Sequence, residues 1–198
     1  MADIITPLTG IVLAGGRSTR MGRDKASLPW GDGDLLNTVL AALAPVCRRL
    51  IVVSNVPRMI GLAEVAVVAD RYRGCGPLAG IHAGLLAAGE GYSFVTACDM
   101  PYLRADAVAY MAKAAEGYDA AVPYVDGHFN PLHAVYHHRC LPAVEALLAS
   151  GRNRVIDFYD RVSLRRVGLE ELAVFDPELA MLRNMNKPED LPPGYGRG

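Results

Sequence analysis

Gly10-Ile11-Val12-Leu13-Ala14-Gly15-Gly16 is a short apolar run that stops at a pair of glycines. A buried strand entering a loop has this form, because a strand covered on both faces is apolar throughout and the chain must then turn away. The same form recurs downstream. Leu50-Ile51-Val52-Val53 ends at Ser54-Asn55, Val65-Ala66-Val67-Val68-Ala69 ends at Asp70-Arg71, and Ser93-Phe94-Val95-Thr96-Ala97-Cys98 ends at Asp99-Met100-Pro101. Helical spacing fills the gaps. Leu35, Leu36, Val39, Leu40 and Leu43 share one helical face, and the segment Leu78 to Ala88 is led by Pro77, a residue suited to a first helical turn. A helix from about Ala105 to Ala115 and the run Ala120-Ala121-Val122 continue the alternation. Strands alternating with helices make βαβ units, so the spacing predicts an α/β fold with three α/β/α layers and a mainly parallel central sheet. Ligands of such sheets sit beyond the carboxyl ends of the strands. The residues that interrupt the apolar runs, Gly15, Gly16, Ser54, Asn55, Asp70 and Asp99, are therefore expected along one edge.

The chain has 198 residues, 52% of them hydrophobic and 21% charged, with a net charge of −1. This is the composition of a soluble globular domain long enough to bury a sizeable core. A charge so near zero argues against holding nucleic acid or an anionic membrane by bulk electrostatics, and leaves room for a local basic site for a phosphorylated small molecule. No apolar stretch approaches the length that crosses a bilayer. The segment Met1 to Pro7 lacks the positive charge and apolar core of an export signal, so a cytoplasmic location is expected. Cys47, Cys75, Cys98 and Cys140 form no C-x-x-C pair and read as reduced core residues. After Asn130-Pro131 the pattern becomes less regular. A strand at about Leu132 to Tyr136, a helix with Leu141, Val144, Leu147 and Leu148 on one face and a short helix near Val155 are expected there. The tail 192–198 should fray.

The richest chemistry lies in Leu13-Ala14-Gly15-Gly16-Arg17-Ser18-Thr19-Arg20-Met21-Gly22-Arg23-Asp24-Lys25, which carries four cations and three glycines. Glycines after a buried strand let backbone N–H groups approach an anion, and Arg17, Arg20 and Lys25 can add charge-assisted hydrogen bonds to phosphate oxygens. The bland alternative is a solvated basic loop. The spacing is neither G-x-x-x-x-G-K-[ST] nor G-x-G-x-x-G. Among the carboxylates, Asp24 reads as a local cap, Asp70 as a ligand contact or a turn residue, and Asp106 as part of a first helical turn. Asp99 ends a buried strand on the ligand edge, where a carboxylate and a hard cation belong together. His133, His137 and His138 lack an acidic or cysteine partner at zinc-site spacing and are expected to be surface or ordinarily hydrogen-bonded imidazoles. Cys75 and Cys98 lack the surroundings of a covalent nucleophile.

The motif L-A-G-G-x-x-x-R-M-G-x-D-K at the end of a first strand resembles the signature of molybdenum cofactor guanylyltransferases. Three more segments are similar and in the same order: Gly76-Pro77-Leu78-Ala79-Gly80, Asp99-Met100-Pro101 and Asn184-Met185-Asn186-Lys187-Pro188-Glu189. The resemblance spans about residues 8–191 and implies a Rossmann-like nucleotidyltransferase fold. It implies transfer of GMP from Mg-bound GTP to the terminal phosphate of molybdopterin, giving the guanine dinucleotide and pyrophosphate. Leu13, Ala14, Gly15, Gly16 and Gly76 would hold the nucleotide, Lys25 would stabilise the α-phosphate, Asp99 would bind Mg²⁺, and Asp70 would contact the nucleotide. Arg20 is expected as a second phosphate ligand, and Ser54 or Asn55 would fall where the second strand meets the nucleotide. Arg154, Asn184 and Asn186 map to positions associated with molybdopterin; Lys187 departs from the threonine more usual there.

The resemblance also implies transient contacts with molybdenum-insertion proteins and apo-molybdoenzymes, and no nucleic-acid or membrane partner. Residues 1–191 would form one domain, with a nucleotide-binding half at about 8–125 and an acceptor-binding half at about 126–191. Two other readings stay open. A related enzyme on the same fold, a molybdenum cofactor cytidylyltransferase or a sugar-phosphate nucleotidyltransferase, differs at Gly15, where cytidylyl relatives resemble L-A-A-G. A GTP-binding adaptor without catalysis is disfavoured by the presence of both Lys25 and Asp99.

Overall fold

The structure, a computed structural model, describes residues 7–15, 25–31 and 33–185. The first apolar run forms β1 (Leu8–Leu13). A two-residue hairpin, β2 (Pro29–Trp30) and β3 (Gly33–Asp34), precedes α1 (Leu35–Leu43), whose N-terminus is capped by the Asp34 carboxylate accepting from the Asn37 N–H at 2.8 Å. Then follow β4 (Arg49–Val53), β5 (Val65–Val68), α2 (Gly76–Ala88), β6 (Tyr92–Ala97) and α3 (Ala105–Ala114). The later half contributes β7 (Ala120–Val125), β8 (His128–Phe129), β9 (His133–His137), α4 (Leu141–Ala149), β10 (Leu164–Val167) and α5 (Leu169–Ala173). The short helix expected near Val155 is a 3-10 helix, Val155–Arg161.

The main sheet runs β10-β7-β9-β6-β1-β4-β5, with β8 paired to β7. Strand β1 pairs in parallel with both β4 and β6, whereas β9 runs against its neighbours β6 and β7, and the short β8 runs against β7. The architecture is thus the expected mainly parallel three-layer one. Each apolar strand serves two cores because successive side chains point to opposite faces. Leu8, Val12 and Phe94 join α1 and α3 on one face, while Ile11, Leu13 and Val95 join α2 and α4 on the other.

Helix α2 is buried from Leu78 to Leu85, between the sheet and α4. Two glycines let it lie that close. A methyl at Gly84 would stand 2.5 Å from Ile11 Cγ2, so something there would have to shift, and one at Gly80 would press on Leu13 Cδ2 at 3.0 Å.

Candidate active site

The chain winds outward from β1 to β4 and β5, then returns to place β6 on the other side of β1. The strand order therefore reverses at β1, and such a reversal opens a crevice at the carboxyl ends of the strands. Register decides what faces it. Leu13 pairs with both Val53 and Ala97, and Val53 pairs with Val68, so the four strands end in one row. Three further bonds prolong that row: Ala14 N–H to Val53 carbonyl at 2.9 Å, Ser54 N–H to Val68 carbonyl at 2.8 Å and Cys98 N–H to Leu13 carbonyl at 3.0 Å. Gly15, Asn55, Asp70 and Asp99 each lie two residues past the row and so share one edge, as their positions in the sequence predict.

At the centre stands Asp99, buried at 8% exposure. Lys25, the first residue of a 3-10 turn, donates from Nζ to Asp99 Oδ2 at 2.8 Å. The Asn184 amide donates to the other carboxylate oxygen, Oδ1, at 3.1 Å, and the Met185 N–H donates to the Asp99 carbonyl at 2.8 Å. A cation from the loop after β1 and an amide from near the C-terminus thus meet on one carboxylate, across sequence separations of 74 and 85 residues. Trp30 packs with Leu28, Leu35 and Met185 beside this cluster, and its ring meets that of Tyr102 edge-on at 5.4 Å.

On the other flank, Asn55 and Asp70 hold each other: Asn55 Nδ2 donates to Asp70 Oδ2 at 2.8 Å, and the Asp70 N–H donates to Asn55 Oδ1 at 3.1 Å. Asp70 Oδ1 is buried and has no hydrogen-bond partner among the described residues. An orphaned carboxylate oxygen is costly unless a donor arrives to meet it. Arg58, which the sequence did not mark out, reaches into the same edge, donating from Nε to Ser54 Oγ at 2.9 Å and from Nη2 to the Ala14 carbonyl.

The remaining candidates are spread about this centre. Leu13 buries its side chain under α2, so only its backbone can serve a ligand. Gly76 opens α2 at φ +65°, in the left-handed region that glycine enters without strain. Arg154 is exposed just before the 3-10 helix Val155–Arg161 and makes no side-chain bond among the described residues. Gly16, Arg20 and Asn186 lie outside the described residues, as do Arg17, Asp24, Lys187 and the tail 192–198. No disulfide joins the four cysteines, and two of them are buried. Among the described residues no cluster of three or more His, Cys, Asp or Glu side chains could hold a metal, and no helix is long and apolar enough to cross a membrane.

One expectation fails. The His133 imidazole is neither at the surface nor hydrogen-bonded: it is fully buried, neither ring nitrogen has a partner among the described residues, and the ring packs edge-on against Phe94 at 5.0 Å. The reason is its place at the start of β9, opposite Thr96 in the middle of the sheet, on the face that α1 and α3 cover. Burial disfavours the imidazolium and lowers its pKa from 6.5 to about 4. Above about pH 6.5 neither state holds the proton; between about 6.5 and 4 only the unfolded chain does, so stability falls as pH drops through that window. The loss should approach about 3 kcal/mol by pH 4. Denaturant unfolding at pH 7 and pH 4 should show His133→Leu losing about that much less than the wild type. Equal losses in the two proteins would remove His133 from the acid response.

Comparison with known proteins agrees with this geometry. The sequence model of the MobA-like NTP transferase domain matches residues 10–163. A probable molybdenum cofactor guanylyltransferase of Pelotomaculum thermopropionicum is 41% identical over 184 residues, covering 92% of this chain and 89% of that protein. One of Carboxydothermus hydrogenoformans is 36% identical, covering 92% of each. The crystal structure of molybdopterin-guanine dinucleotide biosynthesis protein A from Archaeoglobus fulgidus superposes with a TM-score of 0.80 at 28% identity, covering 92% of this chain and 94% of that one. Motif order, switch-point geometry and these likenesses converge, and the chain belongs to the MobA-like NTP transferase family.

Proposed function

We propose that the protein transfers GMP from Mg²⁺-bound GTP to the terminal phosphate of molybdopterin, forming molybdopterin guanine dinucleotide and releasing pyrophosphate. The observation that carries the reading is the meeting of Lys25 and Asn184 on the Asp99 carboxylate at the point where the strand order reverses. A phosphate oxygen of the acceptor forms a bond to the α-phosphorus, the bond from that phosphorus to the α,β-bridging oxygen breaks, and pyrophosphate leaves with the electron pair. The attacking group is already an anion, so no base is needed. Both reactants are strongly negative, and the protein's task is charge neutralisation and alignment.

Asp99 suits Mg²⁺, which typically takes one or two protein carboxylates and fills its remaining positions with substrate phosphates and water. Bound there, the ion would offset charge on the triphosphate. Lys25 has three donors, so its ammonium can keep Asp99 while donating to the α-phosphate, with Arg20 as a second phosphate ligand. Leu13, Ala14, Gly15 and Gly16 seat the nucleotide through backbone, Gly76 leads the helix beside it, and the orphaned Asp70 oxygen accepts from a nucleotide donor while Asn55 holds the carboxylate. Arg154 and the amides of Asn184 and Asn186 serve the acceptor. The protein works in the cytoplasm and hands its product on through transient contacts with molybdenum-insertion proteins and apo-molybdoenzymes. Residues about 8–125 form the nucleotide half and about 126–191 the acceptor half of one domain.

A cytidylyl enzyme on this fold is the second reading, and Gly15 favours guanine. Among the described residues a methyl built on Gly15 meets nothing nearer than the Val53 carbonyl at 3.9 Å, so their packing does not demand a glycine, which supports the ligand as the reason. Thermal unfolding with GTP, CTP, ATP and UTP at one concentration, each with and without Mg²⁺, tests this. Stabilisation confined to GTP is expected. A preference for CTP overturns the guanylyl assignment, and GTP binding without transfer to molybdopterin would leave only the adaptor reading.

A further inference from the structure

The Ser54 hydroxyl is fully engaged within the protein. A hydroxyl has one donor and two acceptor positions. The Ser54 hydroxyl donates to the Val56 carbonyl at 2.8 Å and accepts from the Val56 N–H at 3.3 Å and from Arg58 Nε at 2.9 Å. Ser54 is also only 6% exposed. It therefore builds a seat for Arg58 at the start of the segment joining β4 to β5. From that seat the half-buried guanidinium reaches across a separation of 44 residues and donates to the carbonyl of Ala14.

That carbonyl belongs to the peptide unit between Ala14 and Gly15. The unit is planar and trans, so its C=O and N–H point in opposite directions. Holding the Ala14 oxygen thereby fixes the direction of the Gly15 N–H. The restraint has a purpose because the unit ends in glycine, whose backbone rotates with little steric penalty. Rotated the other way, the same unit would turn a carbonyl oxygen toward an incoming anion where an N–H donor is wanted. A guanidinium suits this double contact, since its planar fork serves two acceptors at once; a lysine ammonium is a single point on a flexible stem.

We propose that Arg58 is a positioning residue for the nucleotide: it locks the Ala14–Gly15 peptide so that the Gly15 N–H faces the ligand, and Ser54 acts through it. The proposal rests on the reading that the end of β1 seats a nucleoside triphosphate, and it leaves the identity of the base aside.

The test is calorimetric titration of GTP and CTP into wild type, Arg58→Ala, Arg58→Lys, Ser54→Ala and the Arg58→Ala/Ser54→Ala double variant, with the Tm of each measured alone. Arg58→Ala should raise the Kd of whichever nucleotide the wild type binds by about tenfold, the consequence of losing one charge-assisted contact. Arg58→Lys should recover part of it. Ser54→Ala should weaken binding less, and should add nothing further in the Arg58→Ala background, because neighbours acting through one contact are not additive. A lowered Tm with unchanged Kd in Arg58→Ala makes the side chain a brace of the fold and overturns the proposal. Additive effects of the two substitutions place Ser54 on the nucleotide and overturn it as well. A wild type that binds CTP and not GTP defeats the guanylyl reading alone, because the same variants are then scored with CTP.

Discussion

Asp99→Ala should abolish transfer, lowering the rate by about a thousandfold or more, while leaving a folded protein. The two halves of this result have separate physical grounds. The substitution deletes both side-chain bonds of Asp99, to Lys25 at 2.8 Å and to Asn184 at 3.1 Å. It spares the backbone tie, since the Met185 N–H donates to the Asp99 carbonyl rather than to the carboxylate. The Lys25 side chain is 24% exposed, so water can reach its ammonium once the pair is broken, and the cost in stability should be about 1 kcal/mol or less. The carboxylate proposed to hold Mg²⁺ is gone, however. The readouts are therefore two: initial rate of GMP transfer, and the part of the GTP-induced rise in Tm that depends on Mg²⁺. Both should vanish in Asp99→Ala, whereas stabilisation by GTP alone should persist. Asp99→Asn keeps the size and the hydrogen-bonding ends of the side chain but not its charge, and should be equally inactive at a near wild-type Tm. Wild-type turnover in either variant would take the metal role from Asp99.

The residues of this site were legible in the sequence to differing degrees, for physical reasons. Gly15, Asn55, Asp70 and Asp99 stand out because each breaks an apolar run, and a buried parallel strand must be apolar until it reaches the edge of the sheet. Their mutual alignment needs only the parallel register. Arg58 gives no such signal: it is one of 20 basic residues, and its partners become visible only when the chain has brought Ala14 beside the loop after β4. Strand β10 is equally quiet. Leu164-Arg165-Arg166-Val167 pairs with β7 at the sheet's outer edge, where one side is open and polar side chains are tolerated. His133 misleads in the opposite direction, because a titratable side chain normally marks a surface and here lies wholly inside.

Asn184 shows the same limit in another form. The sequence assigns it to the acceptor by resemblance alone; in the structure its amide touches the carboxylate proposed for the metal. A single side chain can serve both substrates at a transfer site, because acceptor and nucleotide must converge on one phosphorus. The separation of 85 residues between Asn184 and Asp99 is what conceals that convergence from a linear reading.

Lys25→Ala should lower kcat by about a hundredfold while changing the KM for GTP little. Charge on the oxygens around the α-phosphorus rises as the acceptor approaches and pyrophosphate departs, so a cation beside them is worth more in the transition state than in the bound complex. Lys25 is placed for this use. Its Nζ is anchored on Asp99 at 2.8 Å, which fixes the ammonium beside the carboxylate proposed for the metal, and an ammonium so held needs little reorganisation during reaction. The remaining cationic groups of the loop and the backbone donors after β1 would still bind the triphosphate, which is why affinity should survive. Steady-state kinetics separates the cases: equal falls in kcat and kcat/KM mark an interaction made in the transition state, whereas a raised KM at constant kcat marks uniform binding and would contradict the assignment. Lys25→Arg sharpens the comparison, because it keeps the charge but replaces a compact donor by a planar fork that cannot sit on Asp99 and the α-phosphate in the same way. It should bind GTP as the wild type does and still turn over slowly.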